Sequence, residues 1–298
     1  MKIKALMIIV LLIAFLLTKK NTIISRENDE IFKNKMVSVF YENKKINVDL
    51  DEYIFNVLAC EMPASFQEEA LKAGAVAIRT FYLYKESNNK DYVAKNIDQC
   101  YISNDKLVEK WGKDYNFYIK KLKRIIKETQ NEYLTYNNEV IPSFYFSLSN
   151  GYTENVKEVF SLDLPYLKMV DSSWDKNVKN YENIITLNKS DFINKLNIVD
   201  NADIYIQILK LTDSHRIKEI KINNHIYSGI EIRKKLNLKS ADFDIIVNGD
   251  LITVTTRGNG HGVGMSQYGA NEMAKKGYKY KEILNHYYNG TKISKYSV

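Results

Sequence analysis

Hydrophobic and polar positions alternate with two different periods along the chain. Residues 37–41 (Val-Ser-Val-Phe-Tyr) and 45–50 (Lys-Ile-Asn-Val-Asp-Leu) flank Glu42-Asn43-Lys44 and predict a β-hairpin. Helical spacing then takes over at 51–59, where Tyr53, Ile54, Val57 and Leu58 share a face. Ser65-Phe-Gln-Glu68 has the Ser-x-x-Glu form of a capping box and predicts a helix start at Ser65. Leu71, Ala75, Ile78 and Tyr82 continue that face, and Ala73, Gly74 and Ala77 thin its middle, so this helix is expected to cross the core. Ser87-Asn88-Asn89 ends it. A second long helix is predicted over 105–129 from Leu107, Trp111, Tyr115, Tyr118, Leu122, Ile125 and Ile126. The period returns to two at 132–136 and 140–147, around Asn137-Asn138-Glu139, and at 243–247 and 251–256, around Asn248-Gly249. Short helices are predicted over 191–196 and 230–236, and two more over 264–276 and 280–289. The class is α+β, a single mixed domain over 36–298 with a core-crossing helix and β-hairpins.

The amino terminus breaks this pattern. Met1-Lys2-Ile3-Lys4 precedes an uncharged apolar run over 5–18, closed by Lys19 and Lys20. This is the layout of an export signal, but no small-x-small cleavage site follows and no cysteine lies nearby for lipidation. The expectation is a retained signal-anchor over 1–20, a linker over 21–35, and the remainder, 36–298, outside the cytoplasm on a single-pass cell-membrane protein. The run is shorter than the ~20 residues of a usual span, a gap that helix over 21–24 and snorkelling lysines would close. Cys60 and Cys100 then sit in a non-reducing setting. Their separation along the chain leaves open whether they pair.

Composition narrows the class further. Three prolines and twelve glycines exclude collagen and flexible tethers, and two cysteines exclude a disulfide-dense mini-domain or a four-cysteine zinc site. The net charge of +7 suits work near anionic polymers or lipid surfaces. Basic residues are scattered and no nucleic-acid motif is present, so no nucleic-acid partner is expected. The four histidines show no paired spacing, so no metal and no cofactor are expected.

Three stretches carry candidate chemistry. Glu61, in Ala59-Cys-Glu-Met-Pro-Ala-Ser65, follows an apolar helix, and Pro63 fixes the connection after it. A carboxyl in apolar surroundings has a raised pKa and can serve as a general acid; the bland alternative is a solvated loop glutamate. The segment 257–269 holds five of the twelve glycines and includes His261, Ser266, Gln267 and Tyr268. Such density lets backbone approach a ligand, but the Gly-Lys-Ser/Thr of a nucleotide P-loop is missing. His261 is as readily structural as functional. The hydroxyls and amides over 147–155, with Ser147 and Tyr152, suit sugar recognition or an ordinary polar turn.

Together these stretches resemble the stage II sporulation protein D family, SpoIID, and its LytB-type amidase-enhancer relatives. The resemblance rests on Val57-Leu-Ala-Cys-Glu-Met-Pro-Ala-Ser65, Ala75-Val-Ala-Ile-Arg79-Thr80, Asp98-Gln-Cys-Tyr101, the 147–155 segment, Leu164-Pro-Tyr-Leu-Lys-Met-Val-Asp-Ser172, Gly260-His-Gly-Val-Gly-Met-Ser-Gln-Tyr-Gly-Ala270 and Ile283-Leu-Asn-His-Tyr-Tyr-Asn-Gly-Thr291. It implies a peptidoglycan lytic transglycosylase with Glu61 as catalytic acid. The implied substrate is glycan strand freed of stem peptides, cut between N-acetylmuramic acid and N-acetylglucosamine. His261, Ser266, Gln267, Tyr268, Ser147 and Tyr152 would line the groove. The implied partners are a SpoIIP-type amidase/endopeptidase and a SpoIIM-type membrane protein at the septal membrane of an engulfing mother cell. Cys60 stands where the family usually has alanine. Some members hold zinc through a histidine and two cysteines, whereas here only Cys100 lies in that region, and no histidine occurs in residues 1–214. The alternative reading is a wall-binding module that presents glycan to a partner amidase without cleaving it.

Overall fold

The computed structural model describes residues 35–198 and 203–296. The expected anchor over 1–20 and nearly all of the linker over 21–35 lie outside the described residues. Among the described residues no helix is long and apolar enough to cross a membrane.

The fold is α+β. Strands β1 (Met36–Tyr41) and β2 (Lys44–Asp49) form the first hairpin, turning through Glu42 and Asn43 at φ of 47° and 63°. Val37 and Val39 point into the core. Helix α1 (Leu50–Glu61) starts directly after, with the Asp49 carboxylate accepting from the amides of Asp51 and Glu52. Helix α2 (Glu68–Asn88) starts three residues later than the Ser-x-x-Glu pattern predicts. Residues 63–66 close a turn through the Phe66 amide and the Pro63 carbonyl, which buries Phe66 and leaves Ser65 exposed. The Gln67 amide is instead satisfied by the Asn271 side chain. A tertiary contact thus takes the place of the local cap.

Helix α2 crosses the core as expected. Every residue from Ala70 to Leu83 except Lys72 is buried. Arg79 is wholly buried within it and donates to the carbonyls of Thr129 and Glu132, with Asp51 as its ion partner. One cation therefore serves the frayed C-terminus of the helix that ends near Thr129. The helix predicted over 105–129 is two helices, α3 (Asn104–Trp111) and α4 (Tyr115–Glu128). Gly112, at φ +48°, breaks them apart, and Trp111 packs on Tyr115 and Tyr118 across the break.

The short strand β3 (Ala94–Lys95) runs parallel to β1. β4 (Glu132–Tyr136) and β5 (Glu139–Val140) make the expected hairpin. The strand predicted over 140–147 survives only at its ends, in β5 and β6 (Tyr145–Phe146). Pro142 lies between and cannot donate to a ladder. After the single turn α5 (Val156–Phe160), β7 (Glu182–Asn188), α6 (Lys189–Leu196), β8 (Ile206–Leu211), β9 (Ile217–Ile222), β10 (His225–Ser228), α7 (Gly229–Leu236), β11 (Phe243–Asn248) and β12 (Leu251–Arg257) gather around a second hydrophobic cluster. Its centre is Phe192, Ile220, Ile232, Phe243 and Val254. The chain then returns through the glycine-rich segment to β13 (Met265–Ser266), which pairs parallel with β6. Helices α8 (Gln267–Lys275) and α9 (Tyr280–Tyr287) pack on α2, and β14 (Lys292–Lys295) completes the sheet on β4.

A disulfide joins Cys60 to Cys100, tying the end of α1 to the loop before α3. Closing a 40-residue separation restricts the unfolded chain by at most about 4 kcal/mol on the loop-entropy scale. Replacing both cysteines by serine is expected to lower the denaturation midpoint, and added dithiol should lower the wild type to the same value. A second test probes Gly269. A β-carbon there would sit 2.2 Å from the Tyr287 hydroxyl and 2.7 Å from that of Ser172, both buried. Gly269→Ala is expected to cost about 1–3 kcal/mol by chemical denaturation, the scale of overpacking a tight interior.

Candidate active site

Glu61 is the last residue of α1. The apolar run Val57-Leu58-Ala59 is fully buried and draws the helix end inward, and the Met62 amide closes it on the Leu58 carbonyl. Glu61 itself is half-buried. Its Oε1 accepts the backbone N–H of Cys100 at 2.7 Å. The Gln267 amide lies 3.5 Å from Oε2, a weak contact at that length. The Tyr145 hydroxyl lies near the same carboxyl and favours its charged form. Burial pushes the Glu61 pKa above the ordinary carboxylate range, and these three groups offset only part of that. Each is neutral, and Glu61 makes no ion pair among the described residues.

Behind Tyr145 the hydrogen bonds have a fixed direction. The Gln99 side-chain amide donates to the Tyr145 hydroxyl at 3.0 Å, so the Tyr145 proton is free to point at Glu61. The Gln99 carbonyl oxygen in turn accepts from the Tyr53 hydroxyl at 3.0 Å. Burial raises the pKa of Tyr53 and Tyr145, which keeps both as protonated donors.

The predicted groove residues divide. Gln267 and the half-buried Tyr268 begin α8, and Gln267 alone among them reaches Glu61. Tyr268 packs edge-on against Phe66, and its amide binds the Ser147 carbonyl. Ser147 is half-buried beside it. Ser266 departs from the expectation. It is fully buried, and its hydroxyl caps α8 by accepting from the Gly269 amide, so it has no surface to offer a sugar.

His261 also departs. Its Nδ1 accepts from the Val263 amide, which leaves the proton of the neutral ring on Nε2, on the side of the Tyr145 carbonyl. Burial and the nearby Arg233 and Arg216 lower its pKa to about 4, so it is neutral at physiological pH. Its ring packs against Phe144, Phe146 and Phe160. His261 thus packs against the residues on either side of Tyr145 in the chain.

Tyr152 lies away from Glu61, against His215, with its carbonyl bound by Arg216. The polar run around it forms a seam between the two hydrophobic clusters. Asn150 donates to the Ser214 carbonyl and to Asp242, and Glu154 accepts from Thr212 and Ser214. Ser149, Asn150, Thr153 and Glu154 are all buried, so most of this run is cement between clusters.

Sequence reasoning missed Tyr145, the Cys100 amide and the role of Gln99. Gln99 stood in a quoted motif, but Tyr145 is one of twenty-two tyrosines and carried no local signal. Among the described residues no group of three or more histidine, cysteine, aspartate or glutamate side chains is placed to hold a metal.

Residues 42–136 match the SpoIID family, described as stage II sporulation protein. Over 257 residues the chain is 44% identical to stage II sporulation protein D of Bacillus subtilis strain 168, covering 83% of this chain and 75% of that protein. It is 42% identical to stage II sporulation protein D of Bacillus amyloliquefaciens, with the same coverage. A more distant relative is an amidase enhancer of Bacillus subtilis, 26% identical over 80% of this chain and 40% of that protein. The extent and identity of the first two matches show that this chain belongs to the stage II sporulation protein D family.

Proposed function

We propose that the protein is a peptidoglycan lytic transglycosylase in which Glu61 is the sole acid and base. The observation that carries this reading is the Glu61 carboxyl itself, partly dehydrated and contacted only by neutral donors. Neutral Glu61 protonates the oxygen joining N-acetylmuramic acid to N-acetylglucosamine, and the anomeric carbon gains oxocarbenium character. The carboxylate left behind accepts the proton of the muramyl 6-hydroxyl as that oxygen attacks the same carbon. One glycosidic bond breaks, one ether bond forms within the muramyl sugar, and the proton returns to Glu61. No water is consumed. The donors from Cys100, Gln267 and Tyr145 steady the carboxylate during the interval in which it is charged.

A single carboxyl in two roles differs from the paired carboxylates of most glycosidases. The fold supports the single-acid scheme. Another carboxyl with a pKa raised by burial, Asp175 at about 6, is wholly enclosed by Ser149, Ser172, Gly269 and the Tyr287 side chain. It cannot meet a polymer. The proposed setting is the outer face of a membrane, reached through the amino-terminal apolar segment, beside an amidase that first strips stem peptides. A second reading follows from the amidase-enhancer relative: the same groove binds glycan and never cuts.

Incubating the purified protein alone with stem-free glycan strands, followed by mass spectrometry, separates the readings. Transglycosylation gives 1,6-anhydromuramyl ends, hydrolysis gives ends heavier by one water, and a binding module gives neither. Glu61→Gln is expected to lower anhydro product by about 10²–10⁴-fold. Wild-type rates in that variant would remove Glu61 from the mechanism.

The pH profile supplies an independent check. The acid role needs the protonated form, so activity falls as pH rises through the Glu61 pKa. Gln267 favours the charged form and lowers that pKa. Gln267→Leu should therefore move the descending limb of kcat/KM to higher pH. A shift to lower pH would contradict the assignment.

A further inference from the structure

A second cavity, of about 290 Å³, opens in the seam between the two hydrophobic clusters. Glu61 does not line it. One wall is His261, Gly260 and the Glu154–Val159 turn, and the other is Arg216, Arg233 and the start of α7. Its volume is near the lower end of small-molecule sites, room for one sugar-sized group and not for a chain.

The charges around it are unequally satisfied. The Glu154 carboxylate accepts from the Asn155 amide and from the hydroxyls of Thr212 and Ser214. Glu158 is paired with Lys218 at 2.6 Å. Glu219 is exposed at the rim. The two arginines are different. Arg216 is 4% exposed, faces the carboxylates of Glu154 and Asp242, donates to Ser214 and to the Tyr152 carbonyl, and keeps an Nε–H with no acceptor. Arg233 is half-buried, and its Nε donates to the Leu238 carbonyl. Among the described residues Arg233 has no carboxylate partner.

The glycine-rich segment is shaped around this pair. A β-carbon at Gly262 would sit 2.8 Å from the Arg216 guanidinium carbon, so the glycine makes the space in which that cation lies. The unspent Nε–H of Arg216 is a buried donor that costs free energy until an acceptor meets it. The fork of Arg233 fits a carboxylate in two-point contact. Val159, Ile217, Ile230 and Ala241 add an apolar floor suited to the carbon skeleton that bears the acid.

We propose that this cavity is a carboxylate-binding site, with Arg233 as its primary contact and Arg216 behind it. The carboxylate has two possible sources. One is the free lactyl group of a muramyl sugar, a source that rests on the function proposed above. The other is a free small carboxylic acid, which does not.

Calorimetric titration of the purified full chain tests the site without any cleavage. The probes are N-acetylmuramic acid, its methyl ester and D-lactate, with Arg233→Ala and Glu61→Gln as variants and thermal denaturation as the check on folding. The acid is expected to bind at least tenfold more tightly than the ester, and Arg233→Ala should remove that difference in a folded protein. Glu61→Gln should leave it intact, so failure of the cleavage reading and failure of this site are separable. D-Lactate binding as tightly as the sugar acid assigns the site to free carboxylates; markedly weaker binding assigns it to the sugar-borne group. Equal affinity for acid and ester, an unchanged Arg233→Ala, or no binding by any probe at millimolar concentration overturns the proposal.

Discussion

A carboxyl that must deliver a proton near neutral pH has to be kept dry enough to stay protonated and open enough to meet a polymer. In the proposed reaction that demand falls on Glu61, half-buried at the end of one helix. The buried run Val57-Leu58-Ala59 pulls Glu61 toward the core, while Pro63 turns the chain away before the carboxyl is sealed in. The disulfide acts on the same point. Cys60 directly precedes Glu61, and Cys100 supplies the amide that Glu61 accepts, so one covalent bond fixes both ends of that hydrogen bond. Alanine at position 60 would leave the same contact to packing alone.

Much of this was legible in the chain, and for a physical reason. Burial of Glu61 follows from the apolar residues on either side of it, and the core-crossing helix from small residues at helical spacing, both short-range patterns. The misreadings concern residues whose role depends on what lies far away in sequence. Ser65 lost its capping role because Asn271 satisfies the chain at Gln67. Ser266 looked like a groove residue, yet it is the cap of α8. His261 looked like a sugar contact, and its Nδ1 is spent on the Val263 amide while its ring packs among three phenylalanines. The 140–147 run had strand-like residues but a proline at 142, and strand pairing yielded there. The disulfide could not be inferred from spacing, since forty residues of chain can close or not.

The glycine-rich segment shows how one motif can serve several structural needs together. Gly269 admits Tyr287, Ser172 and Asp175 to a buried polar knot, and Gly262 admits the Arg216 guanidinium. Between them Ser266 caps a helix and Gln267 reaches Glu61. The segment is dense in glycine because Gly258, Gly260, Gly262 and Gly264 all take positive φ and Gly258 and Gly264 lie against neighbouring backbone, while Gly260, Gly262 and Gly269 leave room for side chains. A nucleotide-type phosphate cradle needs no such crowding.

The neutrality of the Glu61 surroundings is the deeper design choice. A lysine or arginine in contact would hold the carboxylate charged and remove the acid, whereas amide and hydroxyl donors stabilise the charged form more weakly. The chain from Tyr53 through Gln99 to Tyr145 gives those donors direction. Tyr53 donates to Gln99 and Gln99 donates to the Tyr145 hydroxyl, which leaves the Tyr145 proton free toward the nearby Glu61. Such a chain costs little reorganisation when the carboxyl becomes anionic, because its dipoles are already aligned. His261 borders this arrangement by packing on Phe144 and Phe146, the neighbours of Tyr145 in the chain. Its imidazole is neutral and adds no charge beside the carboxyl that the proposed reaction needs protonated.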